Sequence, residues 1–363
     1  MVSPCQPGVK RYLGSQFTQS IKDHGCRIPA FAGAPWSLTA LSRKTPTDAD
    51  KSTDKRRKFG QESGSWKLPL LTNYYLKADK STCYIWIDLA IEECSMWEIY
   101  DELIEAVPPD LKVSECLVGL HWTLVRSRAV GMALTPFGAP RMYGAERASV
   151  IAGIGERIAG IPVRELAHFV KSWNPYESSV GLAAINSVHN SSEQVEKLFG
   201  RPLSAQGQVS AFVSYSKTVQ GKKVAVIGRF PDLDVMKEVC HLTVLERVPG
   251  PEDLPDPACE YVLPEQDYVF ITATALINKT LPRLLELSRN ASVFLVGPST
   301  PFAPLLFSHG IDTLAGTVVL EPDSVWQAAQ EGGARRVFEH GAQMVKVSRE
   351  DWQQSERIKG SKE

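Results

Sequence analysis

The residues of this chain best suited to holding a ligand stand where apolar runs end. Val293-Phe294-Leu295-Val296 is followed at once by Gly297-Pro298-Ser299-Thr300. The apolar run has the length and composition of a strand buried on both faces. Thr300 is expected to cap a helix, with Pro301 at the first helical position, where its missing N–H costs nothing. The hydroxyls of Ser299 and Thr300, with the free N–H groups of that helix, would then lie at the carboxyl edge of a sheet, where open α/β folds bind ligands. Ser and Thr are also ordinary helix caps, and the residue types leave both roles open.

Two more strand ends point to the same edge. One gives Gly228-Arg229-Phe230-Pro231, and the other Thr272-Ala273-Thr274 with Asn278 and Thr280 beyond. Together they make a rim of hydroxyls and amides carrying one cation, Arg229, which suits an oxygen-rich or anionic small ligand. Asn186 sits among apolar residues in mid-helix, so its amide either satisfies nearby backbone or points into a site. His168 and His189 read as partly buried rings with backbone partners. Three signatures are missing: GxGxxG after Val226, GxxxxGK[ST], and GxSxG. A dinucleotide, a phosphate-cradling loop and a nucleophile elbow therefore have no direct support. Cys240-His241 precedes a strand, on the wrong edge of the sheet for this rim.

The elements that must position these residues alternate. Strands are expected at Lys223–Gly228, Leu242–Val248, Tyr268–Thr272, Val293–Val296 and Thr313–Val319, with helices over Pro231–Val239, Leu281–Ser288 and Pro322–Gln330. That order implies an α/β fold with a doubly wound parallel sheet. Before it, a helix from Trp97 to Val107 stops at Pro108-Pro109, and strands at 113–118, 122–126 and 129–134 read as an antiparallel meander. Helices follow from Pro162 and from about Tyr176. In the second, Gly181, Ala183 and Ala184 permit close approach of a neighbouring backbone.

Of 363 residues, 43% are hydrophobic and 22% charged, the composition of a globular protein. The net charge of −1 hides a split, with 14 Lys and Arg against 9 Asp and Glu in residues 1–95 and 26 against 32 in the rest. The acidic body argues against a nucleic-acid surface. No apolar run approaches the ~20 residues of a membrane helix. The amino terminus lacks a secretory apolar core, so a cytoplasmic location is expected. Seven scattered cysteines make neither a disulfide framework nor a zinc ribbon. Residues 1–95, with the basic knot Lys55-Arg56-Arg57-Lys58, are expected to be a disordered or non-native extension. Arg141, Tyr143 and Arg147 are further loop groups able to meet an anion. The expected division is 1–95, 96–205, 206–350 and a polar tail over 351–363.

Several short motifs in order carry a resemblance. They are Ser178–Asn186, Val226–Pro231, Thr272–Leu281, Gly297–Pro301, Leu314–Gly316 and Glu331–Gly333. Together they resemble the putative heavy-metal chelation domain family, from about Met96 to Val347. The resemblance implies a smaller α+β domain similar to the enolase N-terminal domain, a Rossmann-like domain after it, and a site in the cleft between them. Genomic context in that family points to metal handling or anaerobic cobalamin synthesis. The site residues it implies are Asn186, Phe230, Pro231, Asn278, Thr280, Gly297, Ser299 and Thr300. Arg229 stands where relatives often have His, and Lys279 where Gly is common. A guanidinium in place of an imidazole removes a metal ligand and supplies an anion clamp.

The leading reading is a two-domain protein binding a small molecule, a heavy-metal ion or a metal chelate. The alternative is a Rossmann-like transferase or lyase acting on a small anionic substrate, and a third is a sensor or scaffold. The partners expected are a small-molecule or metal ligand and a second copy of the chain, with neither nucleic acid nor membrane.

Overall fold

The computed structural model describes residues 76–78, 81–83, 96–136, 158–208 and 210–360. The basic knot at Lys55 and the loop groups Arg141, Tyr143 and Arg147 lie outside the described residues, as does most of the expected extension. The chain divides into two compact units, Met1–Glu93 and Cys94–Glu363. In the first, β1 (Leu76–Ala78) and β2 (Ser81–Cys83) form an antiparallel hairpin with Leu76 opposite Cys83.

The second unit opens with α1 (Glu98–Glu105), which buries Ile99, Tyr100, Leu103 and Ile104 on one stripe. The expected meander follows as β3 (Glu115–Val118), β4 (Trp122–Arg126) and β5 (Val130–Leu134), paired in order. Then α2 (Val163–Ala167) runs into a 3₁₀ turn over His168–Lys171. Next comes α3 (Pro175–His189), capped by Asn174, whose Oδ1 accepts from the Tyr176 N–H at 3.0 Å. Every residue of α3 from Ser178 to Val188 is buried, so this helix is enclosed rather than amphipathic. Small residues make that possible. A Cβ on Gly131 of β5 would lie 2.1 Å from both the Ala183 carbonyl oxygen and the Ser187 nitrogen, so strand and helix meet backbone to backbone. After α3 comes α4 (Ser192–Phe199).

The remaining chain after α5 (Ala211–Tyr215) builds a seven-stranded sheet. Its strands are β6 (Lys223–Ile227), β7 (His241–Glu246), β8 (Leu254–Pro255), β9 (Tyr268–Thr272), β10 (Ser292–Val296), β11 (Thr313–Val319) and β12 (Ala342–Ser348). The spatial order is β12-β11-β10-β9-β6-β7-β8, and every pairing is parallel except β11 with β12. The winding direction therefore reverses between β6 and β9, which makes the sheet doubly wound. Alternate residues of β6 serve opposite faces: Ala225 and Ile227 join the larger core, Val224 and Val226 the smaller one that contains Phe212, Phe270 and Phe294. The larger core runs without a break from Ile99 to Val347, so the meander, α3 and the parallel sheet share one interior.

Two expectations need correction, and a third gains a shape. No helix starts at Thr300. Pro301, Phe302 and Ala303 are irregular, and the next helix is Leu305–Ser308. Prolines at 298, 301 and 304 explain this, because a residue before proline is held out of the helical region. The helix after β6 is only α6 (Asp234–Lys237), shorter than the expected 231–239, which leaves the neighbouring face of β7 thinly covered. The polar tail is a helix, Arg349–Gly360, whose Trp352 stacks on Phe307 at 5.4 Å and whose Ser355 hydroxyl donates to the Lys197 carbonyl at 2.6 Å.

Candidate functional site

The structure sorts the residues expected at the sheet edge into three groups. Asn186, Ser299 and Thr300 are buried where α3 meets the loop after β10, at 0%, 2% and 0% exposure. The Asn186 amide donates to the carbonyls of Met132 at 2.8 Å and Ser299 at 2.9 Å. The Ser299 hydroxyl accepts from the Leu134 N–H at 2.8 Å. Asn190, one turn beyond Asn186, donates to the carbonyls of Thr300 and Thr317 and accepts from the Phe302 N–H at 3.0 Å. These side chains join α3 and its C-cap to β5, β11 and the loop after β10. Asn186 Oδ1 and Thr300 Oγ1 have no hydrogen-bond partner among the described residues.

Thr272, Asn278 and Thr280 form the second group, half-buried and paired locally. Thr272 and Thr274 hydroxyls lie 3.0 Å apart, and Asn278 Oδ1 accepts from the Thr280 hydroxyl at 2.6 Å and its N–H at 3.1 Å. Between them Lys279 takes φ +66°, the left-handed backbone that favours glycine. Its ammonium turns inward and donates to the Ser178 hydroxyl and the Ile277 carbonyl, each at 2.7 Å, and to the Ser172 carbonyl. No carboxylate is among these partners, and burial pulls the Lys279 pKa down to about 8 from 10.5. Folded and unfolded chains both hold this proton below about pH 8, and only the unfolded chain holds it from there to about 10.5. Stability relative to a Lys279→Met chain is therefore expected to be level below that window and to rise with pH inside it. Urea midpoints of the two chains across the window check this, and a constant difference would show a lysine of ordinary pKa.

Arg229, Phe230 and Pro231 are the third group, and they line a cavity of about 710 Å³. It runs from the carboxyl end of β6 along the face of β7, over Val244 and Leu242 to Cys240, beside the short α6. Among the described residues, none of 96–205 lines it. Arg229 is fixed by the Asp253 carboxylate, whose side chain is 4% exposed and also accepts from the Gly250 N–H at 2.8 Å. A Cβ at Gly250 would come 2.6 Å from the Arg229 guanidinium, so a side chain there would push the guanidinium aside. The Arg229 hydrogen bond, ahead of the Gly250 N–H, holds the Asp253 carboxyl below its ordinary range. Phe230 lies on Gly297 and Gly228, both at positive φ, with its ring 3.6 and 3.7 Å from where their Cβ atoms would be. Phe212 backs that ring at 5.0 Å, and the stack continues through Phe270 to Phe294.

Asp253, Gly250 and Arg335 are the site residues that sequence reasoning missed. Asp253 and Gly250 lie in a loop of Pro, Gly and acids with no periodic signal, and Arg335 reaches the cavity from about a hundred residues downstream. Metal ligation has little to work with here. Among the described residues no three His, Cys, Asp or Glu side chains cluster as ligands would. Burial raises the pKa of the thiols Cys116, Cys240 and Cys259, which keeps them protonated and weak as ligands. His168 is exposed, against expectation; His189 is largely buried, and desolvation, then Arg128, lower it to about 4.

Residues 211–348 match the family model DUF364 and residues 100–189 the model DUF4213, both described as putative heavy-metal chelation. A Desulfitobacterium hafniense protein of unknown function from the DUF364 family has a solved structure that is 37% identical, with a TM-score of 0.61 over 70% of this chain and 99% of that one. A Pyrococcus horikoshii structure from the same family is 21% identical at a TM-score of 0.56, over 70% and 99% of the two chains, and shows likeness of fold. The uncharacterised protein MJ0500 of Methanocaldococcus jannaschii is 32% identical over 169 residues, 44% of this chain and 62% of that protein's length.

Proposed function

Because this chain belongs to the DUF364 family of putative heavy-metal chelation proteins, we propose that it binds a small organic ligand, free or wrapped around a metal ion, in the cavity along β6 and β7. The observation that carries this reading is the cavity itself. Its volume of about 710 Å³ falls in the range of small-molecule sites. Its walls combine a fixed guanidinium, Arg229, with an aromatic ring held from behind, Phe230. Its Arg229–Pro231 end lies just past the carboxyl end of β6, the kind of edge where a doubly wound sheet receives ligands. A metal reaching this cavity comes with its own donors, since the described residues offer no ligand cluster. Asn186, Ser299 and Thr300 act in this reading by holding the loop after β10 in place, and Gly297 by giving Phe230 its seat.

Binding is favoured over a transferase or lyase reaction by the state of the lining carboxylates. Asp253 is held by Arg229, while Asp234 and Glu252 both flank Lys237, at 3.7 and 3.2 Å. Each is tied to a cation, so the lining offers no unpaired carboxylate to serve as a general acid or base.

Native mass spectrometry with elemental analysis on the full chain, purified from its source, tests the proposal. A retained small molecule, with or without metal, is expected from wild type and not from Leu242→Trp, which fills the cavity floor. Equal retention by both chains would move the ligand elsewhere, and a wild-type chain that neither retains nor takes up any small molecule would sink the reading.

A further inference from the structure

We infer that the cavity takes a planar aromatic anion whose acidic group docks on Arg335 while its ring lies on Phe230. This rests on the proposal that the cavity is the binding site and adds the chemical class of the ligand. The first observation is the pairing of charges. Three cations and three carboxylates line the cavity. Arg229 is committed to Asp253, and Lys237 stands between Asp234 and Glu252. Among the described residues Arg335 alone of the lining cations pairs with no carboxylate. Asp234 and Glu252 are 90% and 80% exposed and Arg335 is exposed as well, so water screens all three, and it is the absence of a carboxylate partner rather than net charge that sets Arg335 apart.

The second observation is that Arg335 is presented from a fixed turn. Trp122 in β4 donates through its indole N–H to the Ala334 carbonyl at 2.8 Å, and its ring meets Phe338 edge-on at 6.0 Å. The Phe338 N–H closes the turn on the Arg335 carbonyl at 3.0 Å. A guanidinium carried on an anchored backbone can meet a carboxylate, phosphate or sulfonate with two parallel N–H donors. The third observation is the shape of the apolar wall. Leu233, Leu242 and Val244 make an aliphatic floor, and Phe230, backed by Phe212, offers a ring face that does not need to be ordered on binding. Flat aromatic surface with one acidic group is the chemistry that fills all three features.

Two dyes that share their rings and differ in charge test the class on the full chain: 8-anilinonaphthalene-1-sulfonate and the uncharged N-phenyl-1-naphthylamine. The sulfonate dye is expected to saturate one site per chain, and Leu242→Trp is expected to abolish that binding. Arg335→Ala and Arg335→Gln should each weaken the sulfonate dye about tenfold, the loss expected for one charge-assisted contact. Both should leave the uncharged dye within about twofold of wild type, whereas Phe230→Ala should weaken both dyes. Equal binding of the sulfonate dye by wild type and the Arg335 variants would overturn the inference, as would equal losses for both dyes or the absence of a saturable site. A small molecule that wild type and Arg335→Ala retain equally, but Leu242→Trp does not, would leave the cavity as the site and refute only the ligand class.

Discussion

Gly181→Ala is expected to cost about 3 kcal/mol or more, and to unfold the chain where its margin is smaller. The added Cβ would lie 2.0 Å from the nitrogen of Val170, 2.6 Å from the carbonyl carbon of Phe169 and 2.8 Å from the Val170 Cα. All three atoms are backbone, so no side chain can rotate away. Relief would have to come from sliding α3 away from the turn His168–Lys171, and α3 is also locked on its other side. There Gly131 brings β5 within the same close range of Ala183 and Ser187. A shift that relieves one contact therefore tightens the other. The usual gain of Ala over Gly in a helix, up to about 1 kcal/mol, is too small to compensate. Gly360 supplies the control, since it is also helical and nothing lies within 4 Å of its added Cβ. Thermal and urea unfolding of Gly181→Ala, Gly360→Ala and wild type check this. A Gly181→Ala chain as stable as Gly360→Ala would show that α3 is not clamped between two backbones.

How far such features were legible depends on the range of the interaction behind them. The small residues at 181, 183 and 184 announced close approach, because only a near neighbour explains such residues inside an apolar helix. The strands of the parallel sheet were legible for a similar reason. Both faces are covered, so each reads as an unbroken apolar run, and Thr313–Val319 is buried at every position. β12 went unseen because it is an edge strand with four part-exposed residues, Gln343, Met344, Lys346 and Ser348, breaking its apolar run.

Local rules misled where distant partners decide the outcome. Thr300-Pro301 has the form of a helix start, yet the Phe302 N–H that such a helix would leave free is taken by Asn190, 112 residues away. The backbone of Ser299 and Thr300 is placed by equally distant partners, its carbonyls accepting from Asn186 in α3 and from Asn190 at that helix's C-cap. Arg229, by contrast, was placed correctly, because it follows its strand directly and the edge of a parallel sheet is fixed by chain direction. Arg335 could not be found that way. It reaches the cavity through the Trp122–Ala334 hydrogen bond, between residues 212 positions apart, and no local pattern encodes that. The odd placement of Lys279 at a position suited to glycine was visible. Its inward ammonium was not, since its acceptors come from two separate stretches of chain.

Asn190→Leu is expected to be the most damaging substitution of a polar side chain in the described structure. Its amide spans three backbone groups: the Thr300 carbonyl at 2.9 Å, the Thr317 carbonyl at 3.1 Å and the Phe302 N–H at 3.0 Å. Asn190, Thr300, Phe302 and Thr317 are all at most 2% exposed, so water cannot take over. Each orphaned group costs about 1–3 kcal/mol, which puts the total on the order of 4 kcal/mol for a side chain of similar volume. Asn186 makes two such bonds and leaves its oxygen unpartnered, so Asn186→Leu should cost less. Asn190→Asp separates the donors from the acceptor. Its carboxylate can still accept from Phe302 but faces two carbonyl oxygens, which raises its folded pKa above the unfolded value. Stability of that variant is therefore highest in acid, relative to wild type, and falls as pH rises through the raised pKa. Hydrogen exchange locates the loss, since the Thr300 and Phe302 amides should open well before those of β6. If Asn190→Leu unfolds within about 0.5 kcal/mol of wild type, the loop after β10 does not depend on α3 for its place.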